Sequence, residues 1–396
     1  MTLRNILIYR DSLLAPSETF IRSQAEGMRI YRAHYAGSKR SAGIALDPQR
    51  VTVLNEGSAG GRMRELLFKA SGLGFPVTAR FKPMNFRLLH AHFGPDGVIA
   101  LPIARRLRIP LVVTFHGYDA TVKDEYARKS YYTHRNYIRK REQLQREAAA
   151  FIAVSDFVRG KLIEQGYPSE KIVRHYIGVD TQLFKPKPES EMPRENVVLF
   201  VGRLVEVKGC GYLIRAMSEI QRESPDAELV VIGDGPMRAE LEAEAARTLK
   251  KFRFLGTQPP EVVKDWMNRA KVFSVPSVPT ASGAEEAFGI SFLEAASMRL
   301  PAVSFRTGGV PEAVSDGETG LLARPRDWKG LADGIGRLLG DEALWRRMSR
   351  RSRERACESF DLADQTLKLE RIYHAVLAGD TSQATGYQLM PSRIDA

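Results

Sequence analysis

The chain has little cysteine and no long apolar run. Its 396 residues include only Cys210 and Cys357, with no CxxC motif or Cys/His cluster, which argues against a disulfide framework or a structural zinc site. No uninterrupted apolar stretch reaches the ~18 residues of a membrane span, and the start, MTLRNILIYRDS, carries only a short apolar run. We therefore expect neither a secretory signal nor a membrane-spanning helix. The low cysteine content instead favours a protein of the reducing cytoplasm.

The composition is that of a globular protein. Hydrophobic residues make up 43% of the chain and charged residues 27%, which excludes the disordered and fibrous classes. The length suits two domains of about 150 to 200 residues each.

Positive charge is concentrated in the first half. The formal net charge is +12; residues 1–190 contain 31 Lys+Arg and 17 Asp+Glu, whereas residues 191–396 contain 28 and 30. Such an excess indicates an anionic surface or acceptor, although it also fits a role in solubility alone. The densest basic segment, residues 126–147, could lie on anionic lipid or bind nucleic acid. It contains Arg128, Lys129, Arg135, Arg139, Lys140, Arg141 and Arg146, interleaved with Tyr131, Tyr132 and Tyr137.

Short, continuous apolar runs alternate with helical patterns along most of the chain. Continuous runs are typical of parallel strands buried on both faces, and the alternation predicts an α/β protein with two Rossmann-like, doubly wound parallel-sheet domains facing across a cleft. The Pro-rich segment DTQLFKPKPESEMPREN divides the strands into two sets. The predicted parts are an N-terminal domain (1–180), a linker (181–196), a C-terminal domain (197–358), a C-terminal helix that packs back on the first domain (359–379) and a flexible tail (380–396).

Two loops of the second half have the composition of anion sites. In VGRLVEVKG, Arg203 and Lys208 follow a strand and precede a helix, an arrangement that suits a diphosphate because helix N–H groups add to the side-chain charge. A solvated loop is the alternative. Gly308-Gly309 also follows a strand, and Pro311 favours a helix start there.

The segment VVIGDGPMRAEL contains a partial dinucleotide fingerprint. Gly233 and Gly235 follow a strand, but Arg238 occupies the position of the third glycine. A lone GxG is a weak signal, and this departure argues against a nicotinamide dehydrogenase.

The segment EEAFGISFLEA contains two acids eight positions apart. At about 100° per residue, one helix would leave Glu286 and Glu294 about 80° out of register. Gly289 instead predicts a loop that carries Glu286, a turn, and a helix whose first turns carry Glu294.

Histidines of the first half follow predicted strands. His90 and His92 lie at one strand end, but no third ligand with metal-site spacing accompanies them. His116, with Gly117, ends the next apolar run, where a cleft residue should lie. It is either a substrate contact or a satisfied structural residue.

A polar loop, LAPSETFIRSQ, follows the first strand. Ser17 or Thr19 is a candidate N-cap of the next helix, and the loop would bring Glu18 to the mouth of the same cleft.

Together these segments resemble the retaining glycosyltransferases of family 4, which have the two-domain GT-B fold. The resemblance is dense over residues 195–325 and looser before them, through HAHFG, TFHG and IAVS. Within this family, the chain most resembles the branch of enzymes that build exopolysaccharide, colanic-acid-like or O-antigen chains. The matching segments are VGRLVEVKG, VVIGDGP, FLG, VPS, EAFGISFLEA, GGVPEAV and GETGLL.

The resemblance implies a role for each matching residue. Arg203 and Lys208 would bind the diphosphate of a nucleotide sugar, and Glu294 would hold its ribose hydroxyls. Glu286 would contact the donor sugar, and His116 would reach that sugar from the other domain. The resemblance also implies that the N-terminal domain binds the acceptor and the C-terminal domain binds the nucleotide sugar. Further candidates for binding the nucleotide sugar are Gly233, Phe288, Gly289 and Ile290; candidates for the acceptor are Ser17, Glu18, Thr19 and His92.

Three positions depart from the family pattern. APSETFI stands where members often have a Gly-Gly loop, so phosphate contacts by this loop are in doubt. Ile177 stands where the family more often has Asn. The segment SVPTASGAEEAFG is slightly long, so Glu285 rivals Glu286 as the first glutamate, although the spacing to Glu294 and the adjacency to AFG favour Glu286.

The implied function is a hexosyltransferase that acts on a UDP- or GDP-sugar. Transfer would retain the anomeric configuration and require no metal and no cofactor. The acceptor would be a lipid-linked glycan or oligosaccharide in bacterial surface polysaccharide synthesis, with the basic N-terminal domain on the anionic cytoplasmic face of the membrane. One alternative is a GT-B sugar-nucleotide epimerase or hydrolase. Another is a nucleic-acid-binding protein, which the carboxylate and cation motifs disfavour.

Overall fold

The computed structural model describes residues 3–41, 43–71, 79–188 and 194–380, and these form two compact units. Unit 1 comprises the described residues up to Gly178 together with those from Leu362 onward. Unit 2 comprises the described residues of Val179–Asp361. Residues 189–193 of the predicted linker and residues 381–396 of the predicted tail lie outside the described residues.

Unit 1 contains an eight-stranded sheet in which every strand pair is parallel. The strands are β1 (Arg4–Tyr9), β2 (Ser12–Leu13), β3 (Tyr31–Arg40), β4 (Val51–Asn55), β5 (Leu89–His92), β6 (Leu111–Phe115), β7 (Ala150–Ala153) and β8 (Ile172–Arg174). Their order is β2-β3-β1-β5-β6-β7-β8, and β4 pairs with β3. Because β1 lies between β3 and β5, the strand order reverses there, which is where ligands bind in such sheets.

Helices connect these strands. They are α1 (Thr19–Glu26), α2 (Ala59–Ser71), α3 (Gly94–Leu107), α4 (Tyr118–Thr121), α5 (Asp124–Lys129), α6 (Tyr132–Glu147) and α7 (Asp156–Glu164). The side chain of Ser155 caps α7 by accepting the N–H of Val158 at 3.0 Å. The structure contradicts the predicted caps of α1: its N-cap is Glu18 and no side chain caps it, so neither Ser17 nor Thr19 has this role.

The last described helix, Leu362–Ala378, is part of unit 1. Its Leu369, Ile372 and Tyr373 pack in one buried cluster with residues of β1 and β3. Glu370 Oε1 accepts the backbone N–H groups of Arg29 and Ile30 at 2.8 and 2.7 Å. Two kinds of contact, apolar packing and a buried carboxylate on backbone donors, therefore hold this helix to the sheet.

Unit 2 contains a six-stranded sheet, also parallel throughout. Its strands are β9 (Glu195–Val201), β10 (Glu228–Ile232), β11 (Phe252–Phe254), β12 (Ala270–Phe273), β13 (Ala302–Phe305) and β14 (Gly320–Ala323). The order β11-β10-β9-β12-β13-β14 is that of the doubly wound dinucleotide-binding fold. The strand order reverses between β9 and β12, so the loops that follow these two strands border the expected ligand site.

The helices of unit 2 are α8 (Cys210–Glu223), α9 (Arg238–Thr248), α10 (Pro260–Arg269), α11 (Ile290–Ser297), α12 (Val310–Ala313), α13 (Trp328–Gly340) and α14 (Glu342–Phe360). The last helix of unit 1, Leu362–Ala378, follows them in the chain and is numbered α15. The prediction of two parallel-sheet α/β domains is confirmed. In the described part of the chain, no helix combines the length and the apolar composition of a membrane span.

Candidate functional site

Lys208 lies at the carboxyl end of β9, in a loop that glycine makes possible. A short 3-10 turn, Glu206–Lys208, ends at Gly209 in the left-handed region with φ of 65°. A Cβ atom on Gly209 would lie 1.9 Å from the carbonyl oxygen of Pro276, in the loop after β12. Only glycine therefore fits, and the two loops pack together through their backbones.

Glu286 pairs with Lys208 across these two loops. The ammonium group of Lys208 donates to Oε2 of Glu286, and Ser277 Oγ donates to the same oxygen at 3.2 Å. Both side chains are largely shielded, with 22% of Lys208 and 10% of Glu286 exposed. Glu286 is thus the acid that meets the predicted cation, 78 positions away in sequence; Ser277 was not predicted.

Gly308 and Gly309 support the backbone at Glu286. The N–H of Gly309 donates to the carbonyl of Glu286 at 2.8 Å. Added Cβ atoms would lie 2.1 Å from the Glu286 oxygen at Gly308 and 1.9 Å from the Ala287 oxygen at Gly309. The pair predicted as an anion site thus packs against the loop that carries Glu286, and the helix after it, α12, has Pro311 in its first turn.

Glu294 lies on α11, as the sequence predicts. Gly289 precedes this helix with φ of 88°. The side chain of Phe288 is buried against Phe360 at a ring distance of 5.6 Å, so only the backbone of Phe288 is available to a ligand. Ile290 begins the helix. Among the described residues the carboxyl of Glu294 has no hydrogen-bond or ionic partner, and burial raises its pKa to about 7.

Two more predicted positions lie at the carboxyl ends of β9 and β10. Arg203 is exposed, and its side chain has no hydrogen bond or ion pair within the described ranges. Gly233 has φ of 136°, and a Cβ there would lie 1.9 Å from the Gly202 oxygen. Arg238 instead donates to Asp234, in the loop before α9, at 3.0 Å and to Glu242, on α9 itself, at 2.9 Å. Among the residues that the structure describes, Arg203 is therefore a cation without a partner, in the same connection between β9 and α8 as Lys208.

In unit 1, His92 and His116 form a hydrogen-bonded pair. Nδ1 of His92 lies 2.9 Å from Nε2 of His116, and the rings stack 5.2 Å apart. Burial lowers the pKa of His116 to about 3 and that of His92 well below its usual value. Two neutral rings can form this hydrogen bond with one N–H between them. The other nitrogen of His116, the buried Nδ1, has no partner among the described residues.

Asp119 holds the loop that carries His116. Its Oδ1 accepts the N–H groups of His116 and Gly117 at 3.1 and 3.0 Å, and its Oδ2 accepts that of Gly94 at 2.9 Å. Burial raises the pKa of Asp119 to about 6. The sequence interpretation missed this residue, although an aspartate three positions after His116 is a common acceptor for loop N–H groups.

Glu18, in the predicted polar loop after the first strand, is buried in an ionic network. Arg10 donates to Glu18 at 2.9 and 3.0 Å and to Asp96 at 2.7 Å, and its guanidinium lies 4.3 Å above the ring of Phe93. Phe93, at φ of 74°, is also 4.7 Å from the His116 ring. Arg10 and Asp96 were not predicted. Ser17 and Thr19 are exposed beside this network.

His90 is a structural residue of the sheet. Its Nδ1 lies 2.6 Å from the hydroxyl of Tyr373, and its Nε2 lies 2.6 Å from that of Thr114. In the part of the chain that the structure describes, no group of three or more His, Cys, Asp or Glu has the arrangement of a metal site.

Two family models match the chain. The model described as Glycosyltransferase Family 4 matches residues 38–183, and that described as Glycosyl transferases group 1 matches residues 182–355. Together they span both units, and the second contains Arg203, Lys208, Glu286 and Glu294.

The chain is also similar to proteins that are named as glycosyltransferases. The chain is 29% identical over 254 residues to the putative colanic acid biosynthesis glycosyltransferase WcaL of Escherichia coli K12, covering 63% of this chain and 61% of that protein. It is 30% identical over 337 residues to the D-inositol 3-phosphate glycosyltransferase of Corynebacterium diphtheriae, covering 77% and 74%. The fold is similar to that of Anabaena HepE, solved with UDP and glucose, with a TM-score of 0.77, 21% identity, and 94% and 100% of the two chains covered.

Proposed function

Because the chain belongs to glycosyltransferase family 4, we propose that it is a hexosyltransferase that uses a UDP- or GDP-sugar and retains the anomeric configuration. The acceptor is a lipid-linked glycan or oligosaccharide in bacterial surface polysaccharide synthesis. Support for the donor comes from the site in unit 2 and from HepE, which was solved with UDP and glucose. Support for the pathway comes from the name of WcaL.

The arrangement around Lys208 is the observation that carries this proposal. Two cations, Lys208 and Arg203, lie at the carboxyl end of β9, where doubly wound sheets bind phosphates. A partly buried carboxyl without a partner in the described chain, Glu294, lies on the helix that follows Glu286. A nucleoside diphosphate offers both complements: phosphate oxygens for the cations and ribose hydroxyls for the carboxylate.

The chemistry requires stabilisation of a leaving diphosphate. When the bond between the anomeric carbon and the phosphate oxygen breaks, negative charge develops on that oxygen, and Lys208 and Arg203 neutralise it. The acceptor hydroxyl attacks from the face that the diphosphate leaves, and its proton passes to the leaving phosphate oxygen. Glu286 orients Lys208 through their ion pair and contacts the donor sugar. His116 donates to or accepts from a sugar hydroxyl. The transfer needs no metal and no cofactor.

The place of action that we propose is the anionic cytoplasmic face of the membrane. The basic excess of residues 1–190 supports this, because anionic lipid attracts such surfaces and a lipid-linked acceptor resides there.

A thermal-shift screen of nucleotide sugars tests the donor site. We expect one of the UDP- or GDP-sugars to raise the melting temperature of the wild type and to have a much smaller effect on Lys208→Ala and Glu294→Ala. Matched controls are Lys250→Ala and Glu223→Ala, whose exposed side chains lie before β11 and at the end of α8. Equal stabilisation of all five proteins would show that the donor binds elsewhere.

Product analysis with the donor alone separates transfer from the epimerase or hydrolase alternative. The proposed transferase leaves most of the donor intact until an acceptor is added. Rapid conversion of the sugar nucleotide without an acceptor would favour the alternative instead.

A further inference from the structure

One face of α2 is apolar and exposed to solvent. Met63, Leu66 and Leu67 are 56%, 63% and 56% exposed. Positions i, i+3 and i+4 of a helix lie on the same side, so the three side chains form one continuous apolar strip. Adjacent exposed apolar side chains of this size mark interaction surfaces more often than solitary ones do.

The opposite face of α2 is fixed to unit 1. Phe68 is 2% exposed, Lys69 forms an ion pair with Asp11 at 2.8 Å, and Glu65 accepts from Asn55 at 2.7 Å. Rotating the helix to bury the apolar strip would break these contacts. The strip therefore faces outward because the other side is already anchored.

Arginines border the strip on both sides. Arg62 and Arg64 are exposed and stand about 100° to either side of Met63 around the helix axis. An apolar strip between two cations matches the boundary of an anionic bilayer, where acyl chains lie next to phosphate groups.

The basic segment 126–147 offers a smaller free surface than its sequence suggests. Tyr137 is 3% exposed, and Arg141 pairs with Asp124. Tyr131 and Tyr132, at its exposed end, are 77% and 45% exposed. The hydroxyl of Tyr132 donates to the carbonyl of Lys69 at 3.4 Å, which places these tyrosines beside the end of α2. Tyrosine prefers the polar boundary of a bilayer.

We infer that α2 is the segment that docks on anionic lipid, with Met63, Leu66 and Leu67 in the boundary of the acyl chains and Arg62 and Arg64 on lipid phosphates. The inference deepens the proposed function and rests on its lipid-linked acceptor. Charge complementarity to anionic phosphate favours lipid over a second copy of this basic chain as the occupant.

Vesicle flotation with the full chain tests the inference. The vesicles are phosphatidylcholine alone, or with about 30% phosphatidylglycerol to supply negative surface charge. We expect Met63→Ser/Leu66→Ser/Leu67→Ser to lower the bound fraction on the mixed vesicles at least ~tenfold, since each buried methylene adds to partitioning. Arg62→Gln/Arg64→Gln should lower it several-fold on the mixed vesicles only. Ile163→Ser and Leu183→Ser, at exposed apolar residues elsewhere, should bind as the wild type does.

Several outcomes would overturn the inference. Wild-type protein that fails to bind mixed vesicles, or a triple variant that binds as well as the wild type, would do so. A dimer that the triple variant abolishes, without vesicle binding, would assign the strip to a second copy. Melting temperatures show whether each variant folds. Because nucleotide-sugar stabilisation is measured separately, its failure would refute the proposed donor and leave the vesicle result standing.

Discussion

The two units differ in the charged side chains at the carboxyl ends of their sheets. In unit 2, charged side chains are left available: Arg203 is exposed, Glu294 lacks a partner among the described residues, and Lys208 pairs with a single carboxylate. In unit 1, by contrast, Arg10 is paired with Glu18 and Asp96, and burial lowers the pKa of His92 and His116.

This difference suggests different roles for the two units. Unit 2 can compensate the charge of a diphosphate, whereas the surface around His116 offers neutral hydrogen-bonding groups on a rigid loop. We therefore expect substitutions in unit 2 to affect nucleotide binding and the reaction rate, and those around His116 to affect stability or rate without affecting nucleotide binding.

The largest effect should come from Lys208→Ala. Loss of a fixed cation at a developing phosphate charge should lower kcat about 10² to 10³-fold. The rate of nucleotide release is measured with the donor that the binding screen identifies, and Lys250→Ala is the control. A loss below tenfold would mean that Lys208 serves its ion pair with Glu286 and not the leaving group.

Asp119→Ala should affect stability. The change leaves the buried N–H groups of His116, Gly117 and Gly94 without their acceptor, so the free energy of unfolding should fall by about 3 kcal/mol, measured by urea denaturation. Asp119→Asn keeps one acceptor oxygen and should recover about half of this loss. Nucleotide-induced stabilisation should persist in both variants; its loss would contradict the functional separation of the two units.

His92 should act through His116. Asn at position 92 can place an amide atom where Nδ1 lies, but Gln cannot, so His92→Gln should lower kcat about tenfold and His92→Asn much less. The KM for the donor should change little in either variant, and melting temperatures provide the control. Equal losses in the two variants would indicate a packing role for His92.

The smallest effect concerns the pH dependence that Glu294 contributes. Its pKa is raised from 4.5 to about 7 in the folded protein, so the folded state holds a proton that the unfolded state releases between these values. Stability should therefore fall as pH rises from about 4.5 to 7 and then level off. Because Glu294 is only partly buried and solvent screens its charge, we expect Glu294→Gln to gain only about 1 kcal/mol relative to the wild type across that window. A gain in the opposite direction would contradict the raised pKa.

The placement of Lys208, Glu286 and Glu294 on the loops and helix of unit 2 could be predicted from the sequence because the signals for it are local. Glycines at strict positions and charges directly after strands can be read from short segments, and parallel strands bring their carboxyl ends to one edge. The pairing of Lys208 with Glu286 follows from this convergence. What the sequence interpretation missed there is Ser277, a small polar residue with no distinctive pattern.

Unit 1 was less predictable because its contacts join distant polar residues. Arg10 meets Asp96 86 positions away, and nothing local distinguishes this pair from surface charge. The ten-residue β3 has no continuous apolar run that would predict a buried strand, because polar side chains interrupt its apolar pattern. In the structure, His34 contacts Thr52 at 2.8 Å and Ser38 contacts Tyr9 at 3.1 Å. The failed N-cap prediction has a local cause. A 3-10 turn, Pro16–Glu18, precedes α1, so Ser17 lies within this turn, Glu18 takes the N-cap position and Thr19 already belongs to the helix.

The most direct test combines a change in the protein with a change in the nucleotide. Dissociation constants of the stabilising nucleoside diphosphate and of its 2′,3′-dideoxy form are measured by calorimetry on the wild type and on Glu294→Ala. If Glu294 holds the ribose, the wild type should prefer the intact ribose about tenfold or more, and Glu294→Ala should bind both forms equally. An unchanged preference in Glu294→Ala, or no binding of any nucleoside diphosphate to the wild type, would contradict the assignment of the donor site in unit 2.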